Sequence, residues 1–493
     1  MKLSELLLNI EYKTNCNLDE NIEEISINSK EKHSLNAVFV CLKGENSNSH
    51  QFAEDAVKNG AKFILAEHSV GLKNEIIVKN TRSALSKICA NFNDNPQQKM
   101  KMIAITGTNG KTTTSYMIKS ILEQSGHKVG LIGTEGTYIC KQFFKSNLTT
   151  PDPLELFILL AKMVDFGCEF CVMEASAHAL YYDKLDAIAF DVAIFSNLTQ
   201  DHLDFFENME NYEKAKLKLF NKNHAKLAVL NFDDKVGRKI ASICKLPVVS
   251  YGINTPADCF AMDINYEISS SSFVLNLMDN VLTAEINFPG DYNVYNALAA
   301  SSACAVFGVT AEDIKVGLGN LKSIAGRFNI INLNNGAKAI VDFAHTPDGI
   351  EKVLLAIKQV ANGRIITVFG CAGNRDKTKR PKMAQMAEKY SSFVIVTSDN
   401  PRFENPDLII EDVEKGFLTD KFVGVIDRKK AIELAINLSR PGDILAILGK
   451  GAEEYQDING IKVPYSDVET VHACDEKISK RMEAKWKPIF LPF

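Results

Sequence analysis

The chain has 493 residues, 46% hydrophobic and 24% charged, the balance of a folded globular protein too long for a single hydrophobic core. Its formal charge of -5 leaves no basic field, which argues against nucleic acid as a partner. Eleven cysteines, an odd number scattered along the chain, read as reduced thiols rather than a disulfide framework.

The N-terminal MKLSELLLNIEYK lacks the basic, apolar and cleavage regions of a signal peptide. No stretch approaches the roughly 20 apolar residues of a membrane-spanning helix, so a cytoplasmic protein without a membrane role is expected. Next come short strand patterns, AVFVCL at 37–42 and AKFILAE at 61–67, around the helical pattern FAEDAVKNGA, which predict a small α/β domain over residues 1–98. The polar stretch NFNDNPQQK at 91–99 reads as a linker. From Met102, apolar strands such as FCVMEA (170–175) and DVAIFSN (191–197) alternate with amphipathic helices. That pattern predicts a parallel sheet covered on both faces, in a second domain over residues 99–327. Beyond Arg327, RIITVFG (364–370), SFVIVTS (392–398) and DILAILG (443–449) each run into a glycine or aspartate turn and predict a third α/β unit over residues 328–493.

The stretch ITGTNGKTT, residues 105–113, places an apolar strand, a glycine turn and a lysine at a helix entrance in succession. Gly107 and Gly110 allow the turn, and the amides of Thr108, Asn109, Gly110, Lys111, Thr112 and Thr113 at a helix start favour anionic oxygens. Lys111 can neutralise β and γ phosphates, and the Thr112 hydroxyl can face magnesium. Ile105 stands where the usual phosphate-loop pattern has its first glycine, so a purely structural glycine turn is the competing reading. Glu174 ends the strand CVMEA and reads either as a hard oxygen ligand for magnesium or as a solvated strand cap. SNLTQDHLDFF delivers His202, between Asp201 and Asp204, to the same sheet edge, where a ligand and a structural histidine are equally open readings. Cys168 and Cys171 form a C-x-x-C, but no second pair stands at zinc spacing, and buried thiols are the simpler reading.

GTNGKTT, MEASAHAL, SNLTQDHLDFF, YEKAKLKLF, NVYNALAA, GRF, DFAHTPD and DNPR follow one another in an order that resembles the Mur ligase family, and within it the members that add meso-diaminopimelate. The resemblance implies an N-terminal UDP-binding domain, a central ATPase and a C-terminal Rossmann-like domain that brings the amino acid. It implies a ligase that uses ATP and Mg2+, and whose partners are UDP-N-acetylmuramoyl-L-alanyl-D-glutamate and meso-diaminopimelate. A monomer is expected. The same resemblance implies that Lys216, which alone would read as a surface helix lysine, is carbamylated and shares metal binding with Thr112, Glu174 and His202. Asn296 and Asp342 resemble adenosine contacts, Arg327 the arginine at the triphosphate, and His345 a neighbour of the nucleotide. Without the family, Asn293 and Asn296 would read as polar caps before the helix ALAASSACAVF. Ser29, Thr149, Thr150, Ser176 and Lys184 stand at positions that contact the UDP-muramoyl peptide. Here the chain departs from the pattern: Asn28 and Lys30 replace aspartate and arginine, Leu148 an asparagine, Tyr182 a glutamine and Lys184 an arginine.

In SDNPRFENP the strand SFVIVTS ends at Asp399, Asn400, Pro401 and Arg402, at the sheet edge where α/β folds place ligands. An arginine there can grip a carboxylate with two hydrogen bonds. Diaminopimelate carries such a carboxylate on its distal centre, and lysine does not. Arg375, Gly449 and Glu453 resemble the remaining amino-acid contacts, with Glu453 facing the distal ammonium, while Ala452 replaces the family's usual histidine. The competing functions are a lysine-adding or dipeptide-adding Mur ligase, a folylpolyglutamate synthase, and a nucleotide-gated binding protein without turnover.

Overall fold

Apolar runs without polar alternation must be covered on both faces, which requires a parallel sheet with helices on each side. The computed structural model, which describes residues 1–44, 47–146 and 148–485, builds three such α/β layers. In the first, the parallel strands Glu24–Ser26, Ala37–Val40, Phe63–Ala66 and Glu75–Val78 carry Tyr12–Thr14 antiparallel on one edge. The expected linker is different from its reading. Asn91 ends the helix Thr81–Phe92, and its amide donates to the carbonyls of Leu6 and Leu8, while Gln97 is buried in a short 3-10 turn. A polar run is therefore folded because its amides satisfy otherwise orphaned backbone carbonyls.

Among the described residues the central sheet has 11 strands. Lys101–Thr106 lies in its middle, parallel to Phe170–Glu174 on one side and Phe190–Phe195 on the other. From this strand the chain runs to Val129–Gly133 on one side, and after Phe170–Glu174 it crosses to Phe190–Phe195 on the other; the crevice at such a switch point is where open α/β sheets hold ligands. The third layer has six strands, with Lys338–Asp342, Ile444–Leu448, Ile365–Cys371, Phe393–Ser398 and Phe422–Val425 parallel in that order and Asn329–Asn332 antiparallel on the edge. The ends of two of its strands are tied together by Arg428. This fully buried side chain pairs with Asp467 and donates to the carbonyls of Ser398 and Leu448.

All eleven cysteines are free. Cys171 is fully buried, and Cys168 lies 3.7 Å from the Cys140 sulfur, with its thiol pushed up to about 12 by burial, so the C-x-x-C is part of the core. Among the described residues no helix is long and apolar enough to cross a membrane.

Candidate active site

The carboxyl ends of the three middle strands converge on a cavity of about 680 Å³, closed from the other side by the C-terminal layer. Its floor is the loop 107–112. Gly107 has φ +148, and a Cβ there would meet the Ser196 hydroxyl at 1.9 Å. Gly110 has φ +88, and its Cβ would meet the Asn296 carbonyl oxygen at 2.3 Å. Both glycines are thus demanded by conformation and by neighbours, which explains why the loop works with Ile105 buried in the preceding strand. The helix Lys111–Gln124 begins at this turn. Lys111 folds back on the loop, donating to the carbonyls of Gly107 and Thr108 at 3.0 and 2.9 Å. Burial lowers its proton affinity and Glu174 partly restores it.

Thr108, Asn109, Gly110, Lys111, Thr112, Thr113, Thr149, Glu174, Ser176, His202, Lys216, Asn296, Arg327, Asp342 and His345 all line this cavity. Asn293 and Asn296 are not caps. The helix starts earlier, as Asp291–Val306, so both amides are buried within its first turns, and Asn296 accepts from Thr114 and donates to Asn293. Arg327 reaches across the domain junction to donate to the Thr112 hydroxyl at 3.1 Å, with Glu135 at 3.6 Å. Its buried Nε has no hydrogen-bond partner within the protein, an open donor on a side chain that lines the cavity. Asp342 accepts from the amides of Phe328 and Ala344, which fixes the turn carrying Arg327 and His345.

Glu174 is fully buried, so the solvated-cap reading fails. Its carboxylate accepts from the Thr134 amide and hydroxyl at 3.0 and 2.9 Å. A Cβ at Gly133 would come within 2.3 Å of it, so the neighbouring strand is glycine to make room for the carboxylate. His202 is pushed down to about 3, chiefly by burial, which keeps the imidazole neutral and able to coordinate. Among the described residues no group of three or more His, Cys, Asp and Glu is arranged to hold a metal. Magnesium bound between one carboxylate, a hydroxyl and phosphate oxygens needs no such cage, and the Glu174 carboxylate with the Thr112 hydroxyl matches that hard donor set.

Lys216 overturns its surface reading. It is 2% exposed, and its amine makes one hydrogen bond, 2.8 Å to the Gly107 carbonyl, beside the ring of Tyr212. Burial first, and then the Lys111 charge, hold it well below the usual lysine range.

A second cluster seals the junction. Asp201, 6% exposed, accepts from Lys379 of the C-terminal layer at 3.2 Å and faces His345 at 3.7 Å and His202 at 3.3 Å. Gln200 donates to Asp376 and Thr378, Asn109 donates to Asp348 at 2.6 Å, and Arg375 pairs with Asp204 at 3.5 Å. Neither Lys379 nor Glu135 stands out in the sequence, because each is defined by a partner far along the chain, whereas Asp348 closes the DFAHTPD stretch without a role being assigned to it there.

The residues predicted to contact the amino acid lie in the turns at the C-terminal strand ends, outside the lining of this cavity. Arg402, at φ +53, donates to the Gly373 carbonyl and lies 3.8 Å from Asp457. That left-handed backbone is held by the hairpin Tyr455–Ile458 and Ile461–Pro464: the Arg402 amide donates to Asp457 and its carbonyl accepts from Asn459. The turn is therefore tied into the fold through its backbone. Burial, and then the nearby Arg375 guanidinium, lower the proton affinity of Arg402, an influence that a bound anion would offset. Pro401 is buried in the same turn, and Gly449, at φ +115, donates to the Asp342 carbonyl. Glu453 accepts from Asn400 at 2.9 Å.

On the other side of the cavity, Thr149 meets the Thr134 hydroxyl, Thr150 donates to the Glu174 carbonyl, and Ser176 caps the helix Ala177–Tyr181. Lys184 pairs with Asp152 at 2.6 Å. Ser29 lies in a turn of the first layer, where its carbonyl accepts from Asn59, away from the cavity lining.

Residues 105–304 match the Mur ligase middle domain, and residues 326–451 match the Mur ligase, glutamate ligase domain. The UDP-N-acetylmuramoyl-L-alanyl-D-glutamate--2,6-diaminopimelate ligase 1 of Clostridium acetobutylicum is 42% identical over 477 residues, 96% of this chain and 98% of that protein. The corresponding ligase of Clostridium tetani is 39% identical over 97% of this chain and 100% of its own length. A solved structure of a UDP-N-acetylmuramoyl-L-alanyl-D-glutamate--2,6-diaminopimelate ligase superposes with a TM-score of 0.70 at 30% identity, covering 97% of this chain and 99% of that one.

Proposed function

The chain belongs to the Mur ligase family, and from that premise we infer that it is an ATP-dependent amide ligase adding diaminopimelate to UDP-N-acetylmuramoyl-L-alanyl-D-glutamate in peptidoglycan precursor synthesis. Residues 1–98 would hold the UDP sugar, residues 99–327 ATP, and residues 328–493 the amino acid, with the enzyme working as a cytoplasmic monomer. A folylpolyglutamate synthase reading gives the first α/β layer no substrate, and a nucleotide-gated binding protein gives the amino-acid pocket no reaction.

A carboxylate repels nucleophiles, so amide formation needs it activated. In the proposed sequence an oxygen of the D-glutamate γ-carboxylate attacks the γ phosphorus of ATP and ADP leaves. The diaminopimelate amine then attacks the acyl carbon, phosphate departs with the C–O bond electrons, and the amine proton is released. Negative charge gathers between carboxylate and phosphates in both steps, and Lys111, the loop amides and Arg327 are placed to offset it. Asn296, Asp342 and His345 border the nucleoside end, and Thr149, Thr150, Ser176 and Lys184 the peptide end, with Ser29 toward the uridine. Thr112 and Glu174, with His202 and a carbamylated Lys216 opposite, would hold magnesium, which when bound supplies further charge neutralisation at the phosphates. The neutral amine that burial favours at Lys216 is the form that adds to carbon dioxide, giving a carbamate and releasing a proton.

One observation carries the reading. The loop bearing Lys111 and the turn bearing Arg327 meet at one cavity, while Arg402 and Glu453 belong to the layer whose first strand, Asn329–Asn332, directly follows Arg327. The test is phosphate release from ATP with the UDP-muramoyl dipeptide and each amine in turn. Turnover is expected with meso-diaminopimelate and little with L-lysine; no release with any amine would sink the reading. Arg402→Ala is expected to lower kcat/KM for diaminopimelate about ten to a hundredfold, the equivalent of one charged hydrogen bond, with KM for ATP unchanged. Equal changes in both constants would remove Arg402 from the amine site.

A further inference from the structure

Beside the amino-acid pocket lies a buried cation that the proposed chemistry does not use. Lys450 is 0% exposed. Its ammonium makes three hydrogen bonds: to Asp399 Oδ1 at 3.2 Å, Asn400 Oδ1 at 3.1 Å and Glu453 Oε2 at 2.7 Å. A lysine has three donors, so all are engaged. The three acceptors come from two loops, the turn after strand Phe393–Ser398 and the turn after strand Ile444–Leu448, whose backbones meet further along at the short bridge between Arg402 and Ile458, so at Asp399, Asn400 and Glu453 the link is made by side chains.

The network also fixes orientation. Asn400 Oδ1 accepts from the Asp457 amide at 2.9 Å, which identifies the oxygen end of that side chain and turns its Nδ2 to Glu453 Oε2. Both hydrogen bonds to the Glu453 carboxylate therefore fall on Oε2, and Oε1 is left for a ligand. The charge balance agrees. Asp399 and Glu453 carry two negative charges and Lys450 one positive, so the cluster has a net charge of −1. The Arg402 guanidinium, 3.8 Å from Asp457, is near enough to feel the Asp399 charge. A net −1 next to that guanidinium suits a zwitterionic end, an ammonium and a carboxylate on one carbon, better than a lone ammonium.

We propose that Lys450 is a positioning residue that sets diamine specificity: it locks Asp399, Asn400 and Glu453 in one arrangement and presents Glu453 Oε1 to the distal ammonium of a substrate whose distal carboxylate meets Arg402. This rests on the diaminopimelate-ligase reading and adds to it a residue that touches no substrate. Without the Lys450 charge, the pocket becomes doubly negative and loses its fixed geometry, which weakens the zwitterion more than a simple cation.

The experiment measures phosphate release by the full-length wild type, Lys450→Met and Lys450→Gln with meso-diaminopimelate and with L-lysine, alongside a melting curve. In Lys450→Met the KM for diaminopimelate is expected to rise at least tenfold, the KM for ATP to stay within twofold, and the diaminopimelate-to-lysine ratio of kcat/KM to fall at least tenfold. The Gln variant, which retains donors in the same cavity, is expected to fall between the two. Should the Met variant not fold, the Gln variant carries the comparison. An unchanged amine ratio in a folded variant, or equal rises in both KM values, overturns the proposal, as does failure of both variants to fold, because a structural role then suffices. Wild type inactive with diaminopimelate overturns the underlying reading instead.

Discussion

Lys111→Met is expected to cut amine-dependent phosphate release about a thousandfold, a barrier increase of about 4 kcal/mol. The side chain is half-buried in the lining of the cavity, and its ammonium is held by the Gly107 and Thr108 carbonyls over the loop proposed to carry the phosphates. Methionine keeps the length and apolar stem while removing the charge, and of the two carbonyls it abandons that of Gly107 keeps the Lys216 amine as a donor. The fold should therefore survive, which a near-unchanged melting temperature would verify. The loss should fall on kcat with little change in the KM of either amine or dipeptide, because Lys111 meets charge that grows toward the transition state. A loss confined to the KM for ATP would reduce Lys111 to a binding contact.

Much of this cavity is legible in the sequence, for physical reasons that differ residue by residue. Gly107 and Gly110 are readable because positive φ and the crowding by Ser196 and Asn296 leave no other residue, so the demand is written in the residue type itself. The strands Phe170–Glu174, Ile365–Cys371 and Ile444–Leu448 are readable because a sheet covered on both faces needs unbroken apolar runs. Glu174 is half readable: its place at a strand end is visible, but its burial depends on glycine at 133 in the next strand. Lys216 is hidden. The helix Met209–Leu217 carries lysines at 214 and 216, with Lys218 just past its end, amid acids, a pattern that looks solvated throughout, and only packing of the Tyr212 and Ala215 face turns one of them inward. The Asp201 to Lys379 contact joins residues 178 apart, so neither half announces the other. Asn91 and Gln97 mislead for the opposite reason, since polar residues that cap buried carbonyls have the composition of a linker.

The Lys216 site gives the other large effect. Both Lys216→Met and Lys216→Arg are expected to lower kcat about a thousandfold with the KM for ATP within a fewfold of wild type. The arginine variant decides what the position supplies. If a cation beside Lys111 were required, arginine would restore part of the rate; if the lysine acts as a carbamate, arginine would be as poor as methionine. The environment favours the second. An ammonium here would be buried next to another cation with one carbonyl for a partner, so the amine is held well below its usual range and is neutral at lower pH than a surface lysine. Carbamate formation needs that neutral form, so the modification is gained as pH rises through the lowered value and lost as pH falls back below it. Wild-type enzyme depleted of carbon dioxide at mildly acidic pH should accordingly lose activity and recover on adding bicarbonate at neutral pH, while Lys216→Arg shows neither change. Full wild-type activity in carbon-dioxide-free buffer after such treatment would rule out the carbamate and leave Lys216 as a neutral structural amine.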